Sequence, residues 1–139
     1  MMAKVIFDGA GAILGRLGTM VAKELLKGNE VVIINSESVV VSGKKELVVE
    51  NIKRKQRMGR GGSMKGPKYP KPVDRLLKRM IRGMLPWDRA KGREAYKRLR
   101  CFVSDGGLKE DELKTIKKLN WKKPYRYATM KDIAGALKS

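Results

Sequence analysis

No histidine occurs among the 139 residues, and Cys101 is the only cysteine. The first absence removes the commonest general base, so any catalysis would have to rest on carboxylates or lysines. Together the two absences argue against a transition-metal site. A lone cysteine cannot close an intrachain disulfide and fits a reducing cytoplasm. Also missing are a run of about 18 apolar residues and a signal-peptide pattern, which speaks against a membrane or secreted protein. Acidic residues are scarce: 14 Asp and Glu stand against 33 Lys and Arg, a net charge of +19. A charge of that size repels itself unless a polyanion neutralises it, and the usual candidates are nucleic acid or an acidic membrane.

The excess is concentrated. Residues 1–50 hold six bases and six acids, residues 51–100 hold 18 and three, and residues 101–139 hold nine and five. This is the pattern of a neutral scaffold carrying a polycationic segment. With 42% hydrophobic residues the chain has the means to fold, and its length suits one domain, residues 1–139.

Along the chain, Val5-Ile6-Phe7 reads as a buried strand followed by the turn Gly9-Ala10-Gly11. Leu14, Leu17, Val21, Leu25 and Leu26 recur at helical spacing, and Gly28 is placed to end that helix. Val31 to Ile34 is a continuous apolar run, typical of a strand covered on both faces, and Val39-Val40-Val41 is a third short strand. Strand, helix, strand at this spacing predicts a βαβ unit and a parallel sheet flanked by helices. A helix from Ser42-Gly43 to about Gln56 becomes steadily more basic. The stretch 57–72 contains four Gly and three Pro and admits neither helix nor strand. Val73, Leu76, Leu77, Met80, Ile81, Met84 and Leu85 then follow helical spacing, with Arg75, Lys78, Arg79 and Arg82 off that stripe. A shorter helix around 90–99 leads to a last strand at Cys101-Phe102-Val103. Residues 108–128 carry no clear pattern, and Thr129 with Asp132 forms a capping box for a final helix at about 130–138.

The one enzyme-like motif is Gly9-Ala10-Gly11-Ala12-Ile13-Leu14-Gly15, between a strand and a helix. In dinucleotide-binding folds such glycines let the backbone approach a pyrophosphate. Here the spacing is GxGxxxG rather than GxGxxG, and Asn35 and Ser36 stand where an acidic ribose ligand belongs. A tight turn needing small residues for packing accounts for the same glycines. No catalytic residue, metal or cofactor is therefore expected. From Lys53 to Lys71, by contrast, there are eight bases and no acid, on a backbone flexible enough to follow an irregular phosphate path. The arm at about 57–72 has almost nothing to bury, and it is expected to order only on RNA. A membrane surface would call for an amphipathic helix with aromatic anchors, and the arm has Tyr69 alone. The expected RNA contacts are Lys53, Arg54, Lys55, Arg57, Arg60, Lys65, Lys68 and Lys71, continuing through Arg75, Arg79 and Arg82 to Arg89, Lys91 and Arg93. Trp87, beside Pro86 and the polar Asp88-Arg89, suits either a base stack or a packed corner.

Four segments in order resemble one family, the large-subunit ribosomal protein L13. These are Ile13-Leu14-Gly15-Arg16-Leu17 with Leu25-Leu26-Lys27-Gly28; Val31 to Glu37 with Val41-Ser42-Gly43-Lys44; Arg82-Gly83-Met84-Leu85-Pro86; and Arg98-Leu99-Arg100-Cys101-Phe102. The likeness is to the archaeal branch. Bacterial members carry a longer insertion before the second strand, where here Gly28 leads almost directly into Val31, and eukaryotic members run on in a long C-terminal extension not seen here. The resemblance implies a three-layer α/β/α domain with a small, about four-stranded, parallel sheet and a basic extended loop. It further implies a non-enzymatic constituent of the cytoplasmic large ribosomal subunit that binds its rRNA and supports assembly beside neighbouring ribosomal proteins. Neither a small-molecule substrate, nor a membrane, nor obligate homo-oligomerisation belongs to that picture. Two rivals are a nucleotide-dependent enzyme built on the βαβ start and a non-ribosomal RNA-binding assembly factor.

Overall fold

Alternating apolar runs and amphipathic stretches decide the architecture seen in the computed structural model, which describes residues 4–58, 69–104, 124 and 126–138. In chain order these form β1 (Lys4–Asp8), α1 (Leu14–Leu26), β2 (Glu30–Ile34), a 3-10 turn (Ser36–Ser38), β3 (Val40–Ser42) and α2 (Lys45–Arg57). After the arm come α3 (Val73–Arg82), α4 (Ala90–Lys97), β4 (Leu99–Cys101), β5 (Tyr127–Thr129) and α5 (Met130–Lys138).

Strands β1, β2 and β4 make a parallel sheet in that order, with Ile6 opposite Val32 and Val32 opposite Arg100. The apolar run of β2 is explained by its central place. Phe7, Val31, Ile33 and Leu99 pack into the main core with α1, α3 and α5, while Ile6, Val32 and Ile34 form a second buried cluster with Phe102 on the opposite face. A sheet buried on both sides is the middle layer of a three-layer α/β/α fold.

Each helix commits one stripe to the main core. Leu17, Val21 and Leu25 of α1, Leu76, Leu77 and Ile81 of α3, and Met130, Ile133 and Leu137 of α5 are buried. The expected cap of the last helix is present, with the Asp132 N–H donating to Thr129 Oγ1 at 3.2 Å. Helix α2 buries little besides Val49 and Ile52, which leaves most of its surface outward.

Local pattern and structure part at two places. The parallel sheet has three strands among the described residues, because β3 leaves it. Asn35 adopts a left-handed conformation (φ 55°) and the 3-10 turn follows at once, so the chain is redirected away from the sheet edge. Strand β3 pairs instead with β5, antiparallel, Val41 opposite Ala128. The last parallel strand lies at Leu99–Cys101 rather than 101–103, since Leu99 is the residue that enters the core. The ladder nevertheless continues one step, the Phe102 N–H donating to the Ile33 carbonyl at 2.8 Å.

Candidate nucleic-acid interface

The glycine turn after β1 would have to hold any nucleotide. Its donors are already used within the chain. Gly9 N–H donates to the Ile34 carbonyl (2.9 Å), Gly11 N–H to Ser38 (3.1 Å) and Ala12 N–H to Gly9 (3.1 Å), while Ala10 N–H donates to Asp8 Oδ1 (2.9 Å). A Cβ at Gly9 would lie 2.7 Å from Val39 Cγ2 and 2.9 Å from the Ile34 carbonyl oxygen, so this glycine serves close packing. Gly11 is there for its positive φ of 72°. The strand order β1-β2-β4 also never reverses among the described residues, and a reversal is what opens the nucleotide crevice in doubly wound sheets.

Nor is Cys101 a ready nucleophile. Burial pushes the Cys101 thiol up to about 12, an effect that nearby Lys78 only partly offsets. Among the described residues no group of three metal-ligating side chains converges, and no helix is long and apolar enough to cross a membrane.

The basic residues behave differently. Helix α3 needs only one stripe for the core, and Arg75, Lys78, Arg79 and Arg82 recur at i, i+3, i+4 and i+7 along another face. Aromatic rings tie that face to its neighbours. Tyr69, where the arm rejoins the described chain, lies under both Arg79 of α3 (4.7 Å to the ring centre) and Lys55 of α2 (5.6 Å). Gln56 Nε2 donates to the Tyr69 carbonyl at 2.9 Å. The foot of the arm is thus held against α2. Farther along, Lys78 Nζ sits 4.7 Å over Tyr96 of α4, and the Arg82 guanidinium 4.0 Å over Trp87. The two rings meet edge to face at 5.1 Å. Burial raises the Tyr96 pKa despite Arg82 and Arg79 nearby, so the phenol stays neutral and adds no negative charge to this face.

The expected contact residues fall into four groups. Lys55, Lys71, Arg75, Arg79, Arg82, Trp87, Arg89 and Lys91 belong to α2, α3, α4 and the segments joining them, and four of these make the ring contacts just described. Lys53, Arg54 and Arg57 lie on a different face of α2, lining a cleft of about 500 Å³ with Glu46, Glu50 and Ala136 of α5. The basic end of α2 therefore serves two surfaces. Arg60, Lys65 and Lys68, and with them most of the arm, lie outside the described residues. Arg93 is engaged internally: Nε donates to the Trp87 carbonyl (3.0 Å) and Nη2 to that of Asp88 (3.1 Å). Sequence reasoning overlooked Tyr96 and gave Tyr69 no partner. The available signal was an aromatic residue within a strongly basic stretch.

The Ribosomal protein L13 family model matches residues 3–106. The chain belongs to the L13 family. Among L13 relatives, each named large ribosomal subunit protein uL13, that of Archaeoglobus fulgidus is 46% identical over 70% of this chain and 62% of its own length. That of Methanopyrus kandleri is 44% identical over 70% and 60%. That of Methanocaldococcus jannaschii is 40% identical over 94% of this chain and 97% of its own. The chain thus spans about three fifths of the first two relatives and nearly all of the third. These organisms are archaea, in keeping with the branch that the short β1–β2 connection suggested. The L13 match includes all of α2, α3 and α4, hence the whole basic face.

Proposed function

We propose that the chain is a structural constituent of the large ribosomal subunit, binding its rRNA through the arm at about 57–72, the end of α2 and the α3–α4 face. The observation that carries this reading is the coincidence of charge and place in a member of the L13 family. Residues 51–100 hold 18 bases against three acids, and α3 lines its own up on a face away from the core. Lys and Arg held on a rigid core neutralise phosphates where RNA segments converge, and released counterions supply much of the affinity. Neighbouring ribosomal proteins are the other partners, the place of work is the cytoplasmic subunit, and no homo-oligomer or small-molecule substrate is required.

Salt dependence tests it. Replacing Arg57, Arg60, Lys65 and Lys68 by Gln lowers the slope of log K against log salt for rRNA by about three, at roughly 0.7–0.9 for each phosphate no longer neutralised. An unchanged slope means that these residues face solvent. Recovery at one copy per large subunit after a high-salt wash supports a constituent, and its loss in the wash supports a visiting assembly factor.

A further inference from the structure

We propose that the Arg82–Trp87 stack is a docking platform for one unpaired nucleobase of the bound RNA. This rests on the RNA-binding reading and adds to it a chemical preference that phosphate contacts cannot provide.

The first support is exposure combined with rigidity. Trp87 is 37% exposed, whereas a ring serving only as a packed corner would be covered. Its backbone is nevertheless fixed. Trp87 N–H donates to the Leu85 carbonyl (2.8 Å) and Arg89 N–H to that of Pro86 (3.1 Å). Arg93 clamps the carbonyls of Trp87 and Asp88 from α4. Gly92, lacking a Cβ, lets α4 lie directly on the Pro86 backbone. A ring held this way loses little further freedom on binding.

The second support is the geometry of the stack. With its carbon 4.0 Å from the indole centre, the Arg82 guanidinium covers one part of the ring. A planar cation on an aromatic face can itself be stacked upon, so a base extends the pile or takes the guanidinium's place on the indole. Tyr96 braces the indole at 90°. Arg79 and Lys78, three and four residues before Arg82, place positive charge where the flanking phosphates of a splayed nucleotide would run.

The third is charge, which selects RNA over a protein partner. From Tyr69 to Arg100 there are 11 bases and only Asp74, Asp88 and Glu94 as acids.

The test uses the full chain with Trp121→Phe, leaving Trp87 as its only indole. The probes are a mixed-sequence single-stranded RNA, the same strand bearing abasic sites, and the duplex with its complement. Single-stranded RNA is expected to quench Trp87 fluorescence strongly, and abasic RNA and duplex weakly. Trp87→Ala lowers single-strand affinity by about tenfold and duplex affinity by less than about twofold, and Trp87→Phe restores part of the loss. Should Trp87→Ala disturb folding, the quenching contrast and the Trp87→Phe variant still decide. Equal quenching by all three probes, or equal loss for single strand and duplex, overturns the platform while leaving phosphate binding intact. So does unchanged RNA affinity with impaired entry of Trp87→Ala into subunits, which would assign the ring to a protein contact. Absence of RNA binding in every form overturns the functional reading itself.

Discussion

Two close approaches in this chain, one at a turn and one on a helix, depend on a glycine in the same way and end with opposite characters. At Gly9, the missing Cβ admits Val39 and the Ile34 carbonyl; at Gly92, it admits the backbone of Pro86. Around Gly9, every N–H from residue 9 to residue 12 is consumed inside the chain. Around Gly92, the packing instead thrusts Trp87 and its cations outward. Such a glycine therefore marks close approach, and what the place can bind depends on which groups the approach leaves facing out. The GxGxxxG stretch looks more like a ligand site in sequence, yet the segment around Trp87 is the one that leaves a ring and cations facing outward.

The largest expected difference between the two glycines is steric. Gly92→Val drives a branched side chain into the Pro86 backbone, which cannot retract as a flexible side chain could. The expected cost is about 3 kcal/mol, and any gain in helix propensity, at most about 1 kcal/mol, does not offset it. Gly9→Ala meets a side chain and a carbonyl, and is expected to cost about 2 kcal/mol. Chemical denaturation measures both. A neutral Gly92→Val would show that α4 and Pro86 are not in contact.

Electrostatic consequences are smaller and separate the two regions by function. Arg75→Gln with Arg79→Gln, on α3, lowers the salt slope of RNA binding by about 1.5. Arg16→Gln with Lys23→Gln, exposed on α1, leaves it unchanged. Equal reductions would mean that charge acts diffusely and that no face is preferred.

The smallest effect concerns pH. The Cys101 thiol is held up to about 12 from an ordinary 9. The folded state keeps its proton where the unfolded chain loses it, so this contribution to stability is complete below about pH 9. It falls away as the pH rises from there toward 12. Native Cys101 should accordingly react with an alkylating agent near pH 8 far more slowly than in the denatured chain. Equal rates would place the thiol in open solvent.

Much of this was legible because it is written in short-range spacing. Leu76, Leu77 and Ile81 announce α3 by their period, Thr129 and Asp132 announce the start of α5, and the run Val31 to Ile34 announces a strand with two covered faces. The unequal charge of the two halves of residues 1–100 pointed to the basic face. What escaped reading depends on partners distant in sequence. Nothing in Val40-Val41-Ser42 says that it will desert the sheet for Tyr127–Thr129, since Asn35 turns the chain and β5 receives it far downstream. The division of the basic end of α2 between two surfaces needed the positions of Tyr69 and α5. Likewise Arg93 counts as one more cation in sequence, and only the fold shows it gripping two carbonyls.

The position of β2 between β1 and β4 also bears on how the chain comes to fold. Its pairing with β1 spans a local βαβ connection and can form early, whereas its other edge waits for residues 99–101. Closing so long a loop sacrifices chain entropy before the new contacts repay it, which slows this step relative to the first. The intervening stretch is the polycation itself. As the chain emerges during synthesis, its most strongly charged part is therefore present before the strand that completes the sheet. Strand β5 and helix α5 dock later still, through the Met130 N–H on the Val39 carbonyl at 2.8 Å.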